Sequence, residues 1–181
     1  MIRGSVLGFL CSALVWLAPS RAHAFEREWH VGGGVGLTAY PNHYGAGPSL
    51  GLNAGYGISD VFDLKLELLG SSHTYQATAE SPRERGQAYS AAAGLSYKLD
   101  ILQWIPYGAA LVGFQHIAGP LPISDPFRRN DALVAVVLGL DYAATRNFGL
   151  GVSFRTNILL STIGEGEAFT TMLRAEYHWG F

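Results

Sequence analysis

The stretch "LRAEYHWGF", residues 173–181, places Leu173, Ala175, Tyr177, Trp179 and Phe181 at alternate positions, with Arg174, Glu176, His178 and Gly180 between them. A period of two sends successive side chains to opposite sides of a β-sheet. One face of this strand is therefore apolar and the other charged. Alternation alone does not say which face meets water.

Seven earlier stretches share the period: "WHVGGGVGLTAY" from Trp29, "SLGLNAGYGI" from Ser49, "FDLKLELLG" from Phe62, "YSAAAGLSYKL" from Tyr89, "WIPYGAALVGFQH" from Trp104, "ALVAVVLGLDY" from Ala132 and "FGLGVSFRT" from Phe148. The stretch 104–116 is apolar on both faces, so its register stays open. The connections cover residues 41–48, 59–60, 71–86, 100–103, 117–130, 143–146 and 157–166, and longer ones alternate with shorter ones. In an up-and-down antiparallel sheet this gathers tight turns at one end and long loops at the other. Such a sheet closes either as a soluble barrel with an apolar lumen or as a membrane barrel with an apolar outside.

Four features favour the membrane form. Many glycines fall on the polar face, among them Gly32, Gly34, Gly36, Gly94, Gly139 and Gly151. There they make room in an eight-stranded lumen, which barely holds side chains. The large polar-face residues carry both signs and can neutralise one another inside: Asp63, Lys65, Glu67, Asp141, Arg155, Arg174 and Glu176, with Lys98 on the same face. Aromatics of the apolar face collect toward strand ends, as the interfacial girdles of membrane barrels do. Finally, runs of about 9–11 residues, tilted near 45°, match the height of a membrane barrel's apolar band. The expected fold is an all-β, eight-stranded antiparallel up-and-down transmembrane β-barrel.

Residues 1–24 read as a cleaved signal peptide, with Arg3, the apolar run "VLGFLCSALVWLA" and "AHA" before Phe25. The run is too short for a spanning helix. An uncleaved anchor is the alternative. Cys11, the one cysteine, lies inside this segment and lacks the surroundings of a lipoprotein cysteine. Residues 25–181 then form the barrel domain, cysteine-free, with 10 basic and 14 acidic residues. With no basic stripe, nucleic acid is not an expected partner.

The C-terminal "YHWGF" resembles the closing signature of bacterial outer-membrane β-barrels, and "WIPYGAALVGF" and "GLDYAATRNFGLGVSFR" are similar to strands of the OmpA/OmpX-type barrel family. The resemblance implies a location in the outer membrane among its lipids. It also implies that the outer-membrane barrel assembly machinery reads Tyr177, Trp179 and Phe181 as an assembly signal. OmpA itself continues into a peptidoglycan-binding domain, whereas this chain stops at the barrel, so no cell-wall anchor is inferred.

Some outer-membrane barrels modify lipids, which makes His30, His43, His73, His116 and His178 worth weighing. His73, near Ser71, Ser72 and Glu80, falls in a polar stretch and reads as a solvated loop residue. His116 is read in the same way, and His30 and His178 as inward or rim residues at the tight-turn end. The chain has neither the His-x-Ser-Asn pattern of lipid A deacylases nor the N-terminal amphipathic helix of the palmitoyltransferase barrel. "GGGVG" lies in a strand with no following helix, so it is no phosphate loop. No catalytic residue, cofactor or metal ligand is assigned.

The reading is of a non-enzymatic, monomeric barrel with a structural or surface-interaction role. The seven charged residues form a lumen network that plugs it, and an extracellular ligand is met through loops 71–86 and 117–130. A narrow channel or small apolar-solute conduit, a lipid-modifying enzyme and a periplasmic lipocalin-like barrel are the alternatives.

Overall fold

The computed structural model describes residues 27–40, 44–75, 84–118, 129–161, 163 and 167–180. The signal segment 1–24, His43, Glu80 and Phe181 lie outside the described residues.

Eight strands form one closed antiparallel barrel: β1 Trp29–Tyr40, β2 Tyr44–Gly57, β3 Phe62–Tyr75, β4 Glu84–Lys98, β5 Trp104–Ala118, β6 Asn130–Thr145, β7 Phe148–Leu159 and β8 Glu167–Trp179. Each strand pairs with its neighbours in sequence. β8 returns to β1 from Trp29↔Trp179 to Ala39↔Phe169. That last pairing removes the free edges, which a lipid-exposed sheet cannot leave unpaired.

The faces follow the period of two. Val35, Leu52, Leu66, Leu95, Val112, Leu138, Val152 and Leu173 are exposed on the outside, while Asp63, Lys65, Asp141, Arg155, Arg174 and Glu176 are buried in the lumen. An apolar outside excludes the lipocalin-like alternative, which needs its greasy face inward. β5 acquires a register: Tyr107, Ala109, Leu111, Gln115 and Ile117 point in, and Val112, Phe114 and His116 point out. At the tight-turn end the outer aromatics pair around the rim, Trp29 with Tyr56 at 4.7 Å, Phe62 with Tyr97 at 5.3 Å and Trp104 with Tyr142 at 5.0 Å.

The strands run further than the alternating runs at the long-loop end. β3 continues through Ser71, Ser72 and His73 to Tyr75, and β4 begins at Glu84. The two expected contact loops therefore contract to residues 76–83 and 119–129. β2 begins at Tyr44, which leaves only residues 41–43 between β1 and β2 and breaks the strict alternation of long and short connections there. On β3 and β4 the extra residues are polar on both faces, so ladder hydrogen bonds extend these strands where the apolar pattern has ended.

Leu66 lies midway along the alternating run Phe62–Gly70 of β3 and faces outward, so Leu66→Arg sets a cation in hydrocarbon. The expected loss is about 2–4 kcal/mol of unfolding free energy in bilayers, read from urea titrations followed by tryptophan fluorescence. An arginine tolerated without loss would mean that this face does not meet lipid.

Candidate functional site

Among the described residues, β-strand alternation concentrates ionisable groups in the lumen. Four carboxylates, Asp63, Glu67, Asp141 and Glu176, meet four cations, Lys65, Lys98, Arg155 and Arg174. At the tight-turn mouth His178 Nδ1 lies 2.7 Å from Glu28 Oε1, and the His178 ring stacks on His30 with centroids 5.7 Å apart. One step further in, Lys98 Nζ lies 2.5 Å and His30 Nε2 3.2 Å from the Asp63 carboxylate.

Arg174 holds the middle. Its guanidinium donates to Glu176 and to the Tyr107 hydroxyl, and its Nε lies 3.7 Å from Asp141 Oδ1. The Tyr107 ring also receives the Lys65 ammonium, 4.4 Å from its centroid. This is a cation–π contact in a desolvated place, where such contacts are strongest. Gly139 makes that ring possible, because a Cβ there would overlap it. Gly55 gives the same room to the His30 ring. Above this layer Glu67 accepts from Lys65 at 3.0 Å and from Arg155 at 2.9 Å, and Arg155 Nε donates to Asn157 Oδ1 at 2.6 Å.

The character then changes. Leu111, Leu133, Val137 and Leu159 are each 1% exposed inside the barrel, and Ala135 and Ala168 are fully covered. They form an apolar patch on the β5–β8 side of the lumen, interleaved in the ladder with Arg155, Asn157 and Thr170. Thr170 shares a hydrogen bond of 2.9 Å with Thr38, and toward the long loops the Asp131 carboxylate accepts from the Ser161 hydroxyl.

All seven charged positions singled out in the sequence face the lumen, each in an ion pair. Sequence reasoning set Lys98 on the right face but outside the network. It also missed Tyr107, Asn53, which donates to Glu176, and Glu28. Strand parity would have found Asn53, which lies between Leu52 and Ala54. Tyr107 carried no signal, since both faces of β5 are apolar.

His73 corrects the loop reading. It is buried on the inner face of β3, with Nε2 2.8 Å from Ser71 Oγ and Nδ1 3.1 Å from the Gly45 carbonyl. The carbonyl can only accept, so Nδ1 carries the proton and Nε2 accepts from the serine. His116 is no loop residue either; it stands on the outer face of β5. Among the described residues no cluster of His, Cys, Asp and Glu is arranged to hold a metal.

Residues 7–181 match the outer membrane protein β-barrel domain family. The chain belongs to that family. Its members reside in the bacterial outer membrane, and so does this protein. Among solved structures it is similar to OprG of Pseudomonas aeruginosa, with a TM-score of 0.68 and 12% identity over 86% of this chain and 97% of that one. Neisserial surface protein A is similar at 0.61 and 21%, over 87% and 99%. Ail, the attachment invasion locus protein of Yersinia pestis, is similar at 0.57 and 17%, over 85% and 99%. At these identities the likeness is one of fold. No curated protein matches the sequence.

Arg174→Met removes the cation that Glu176 and Asp141 share and leaves both buried. A loss of about 3–5 kcal/mol in unfolding free energy is expected. Arg174→Lys should recover only part of it, because an ammonium cannot fork between the carboxylate and the phenol. Equal stability of all three proteins in urea would show that the lumen pairs are hydrated.

Proposed function

We propose that this outer-membrane barrel is a closed scaffold that presents its long-loop end to the outside, with no enzymatic activity and no general pore. The observation that carries the reading is the sequence of layers inside it. The tight-turn mouth opens on a cavity of about 280 Å3 lined by Glu28, Lys98, Asp141 and His178. At the Glu67–Arg155 level, where Val137 also lines it, the space falls to about 30 Å3. A hydrated ion moving outward would have to separate paired charges to pass that level. Wide aqueous channels belong to barrels of about 16 strands.

The Ser71–His73 pair is the best argument for an enzyme, since its tautomer suits a general base. The space beside His73, bounded by Tyr40, Ala88 and Ile117, is only about 10 Å3, too small for a substrate. A serine and histidine closed off in this way serve to fasten β3 to β2 through Gly45. Contact with other molecules is then left to the connections 76–83 and 119–129, since rigid scaffolds carry their recognition on loops. Tyr177 and Trp179 on β8, with Phe181 following, serve as the address for barrel assembly.

The purified barrel in planar bilayers is expected to show no stable unitary conductance in molar salt. Stable channel openings would overturn the closed reading in favour of a conduit. In cells, replacing 76–83 and 119–128 with short Gly-Ser turns should leave the boiling-dependent gel shift of the barrel intact while abolishing surface contacts. Contacts unchanged in that variant would refute the assignment to the loops.

A further inference from the structure

On the outer face, three register rows cross β2 to β6 near the long-loop end. The uppermost joins Leu50, Gly70, Tyr89, His116 and Asn130. The next joins Leu52, Leu68, Ala91, Phe114 and Ala132, and the third Ala54, Leu66, Ala93, Val112 and Val134. β4 thus sets two methyl groups, Ala91 and Ala93, between leucines of β3 and the tall side chains of β5. Phe114 stands 72% exposed and Val112 66%. The result is a trench along β4, with a volume of about 660 Å3 where Leu50, Leu68, Gly70, Ala91 and Phe114 bound it. An alkyl chain on a flat barrel wall meets protein on one side. In this trench it meets protein on three, and dispersion contacts add.

The upper mouth is polar. The Tyr89 hydroxyl donates to Gln87 Oε1 at 2.6 Å, and His116, in the same row, has Nδ1 2.7 Å from Asn130 Oδ1. The amide oxygen only accepts, so Nδ1 donates and Nε2 remains as the second hydrogen-bonding atom of the ring. A tyrosine of this kind marks the level where hydrocarbon gives way to headgroups. Beyond that level comes Arg85, four residues on along β4 and exposed on the same face as Tyr89. On β6 the ladder sets Arg129 opposite Ile117 and Asp131 opposite Gln115, both lumen-facing positions of β5, so neither belongs to this outer wall.

We propose that this trench is a binding site for an anionic, phosphate-bearing lipid of the outer leaflet. One acyl chain lies along Ala91 and Ala93, and the phosphate lies between Arg85 and the His116 ring. The order of groups along β4, methyl floor, amphipathic aromatic, then a cation, is the order of groups along such a lipid. The site is outside the lumen and stands whether or not the lumen conducts.

The test uses the purified barrel in phosphatidylcholine bilayers with trace spin-labelled phosphatidylglycerol or phosphatidylcholine of identical chains. The wild type is expected to hold the anionic lipid up to about fivefold more, the share of one arginine near the surface. The preference should shrink as salt rises. Arg85→Gln should bring it to unity, and Arg129→Gln should leave it unchanged. Ala91→Leu, or Ala93→Leu as a second filling variant, should reduce the motionally restricted fraction of both lipids and keep the headgroup preference. Leucine is at home facing lipid, and the gel shift on boiling verifies closure of each variant. Equal association of the two lipids with the wild type, a preference that survives loss of Arg85 or is lost with Arg129, or filled variants that restrict as much lipid as the wild type would overturn the proposal.

Discussion

The structure depends on the pairing of β1 with β8. In hydrocarbon a backbone N–H or C=O has no water to turn to, so a sheet persists there only if its last strand finds its first. Trp29↔Trp179 to Ala39↔Phe169 supplies that closure. Eight strands fix the girth, and the girth decides what the inward face can carry. Glycine therefore recurs on that face, and Tyr107 lies where Gly139 has nothing to put in its way.

A narrow lumen also constrains charge. An ion held there keeps little of its hydration, and only an opposite charge at contact distance offsets the loss. Asp63, Glu67, Asp141 and Glu176 are matched accordingly by Lys65, Lys98, Arg155 and Arg174. Partners come from strands far apart in sequence, as with Arg155 and Glu67 on β7 and β3. Such pairs add little net stability over an apolar filling. They do penalise any register that leaves a partner behind, because slipping one residue would turn every charge to lipid.

The fold was legible wherever one face was apolar and the other was not. Leu64, Leu66 and Leu68 against Asp63, Lys65 and Glu67 fixed β3 outright. Legibility failed for two physical reasons. Where β3 and β4 rise past the bilayer, at "SSHTY" and "ERGQ", nothing distinguishes the faces, so backbone pairing extends strands that composition marks as loop. His73 was read as solvated for that reason. Where the lumen itself is apolar, as along Ala109 and Leu111, both faces look alike and β5 shows no parity. The charged layer was visible through its residue types. Of the groups that complete it, Asn53 could be placed by the parity of β2 alone, and Tyr107 could not be placed, because β5 shows no parity.

The narrowing of the lumen, from about 280 Å3 at the tight-turn mouth to about 30 Å3 at the Glu67–Arg155 level, has a chemical consequence. A reagent dissolved on the tight-turn side meets Glu28, Lys98 and His178 first, and Glu67 and Arg155 stand behind them where the space is smallest. The reactivity of the lumen is thus graded, each side chain answering to solutes according to its depth.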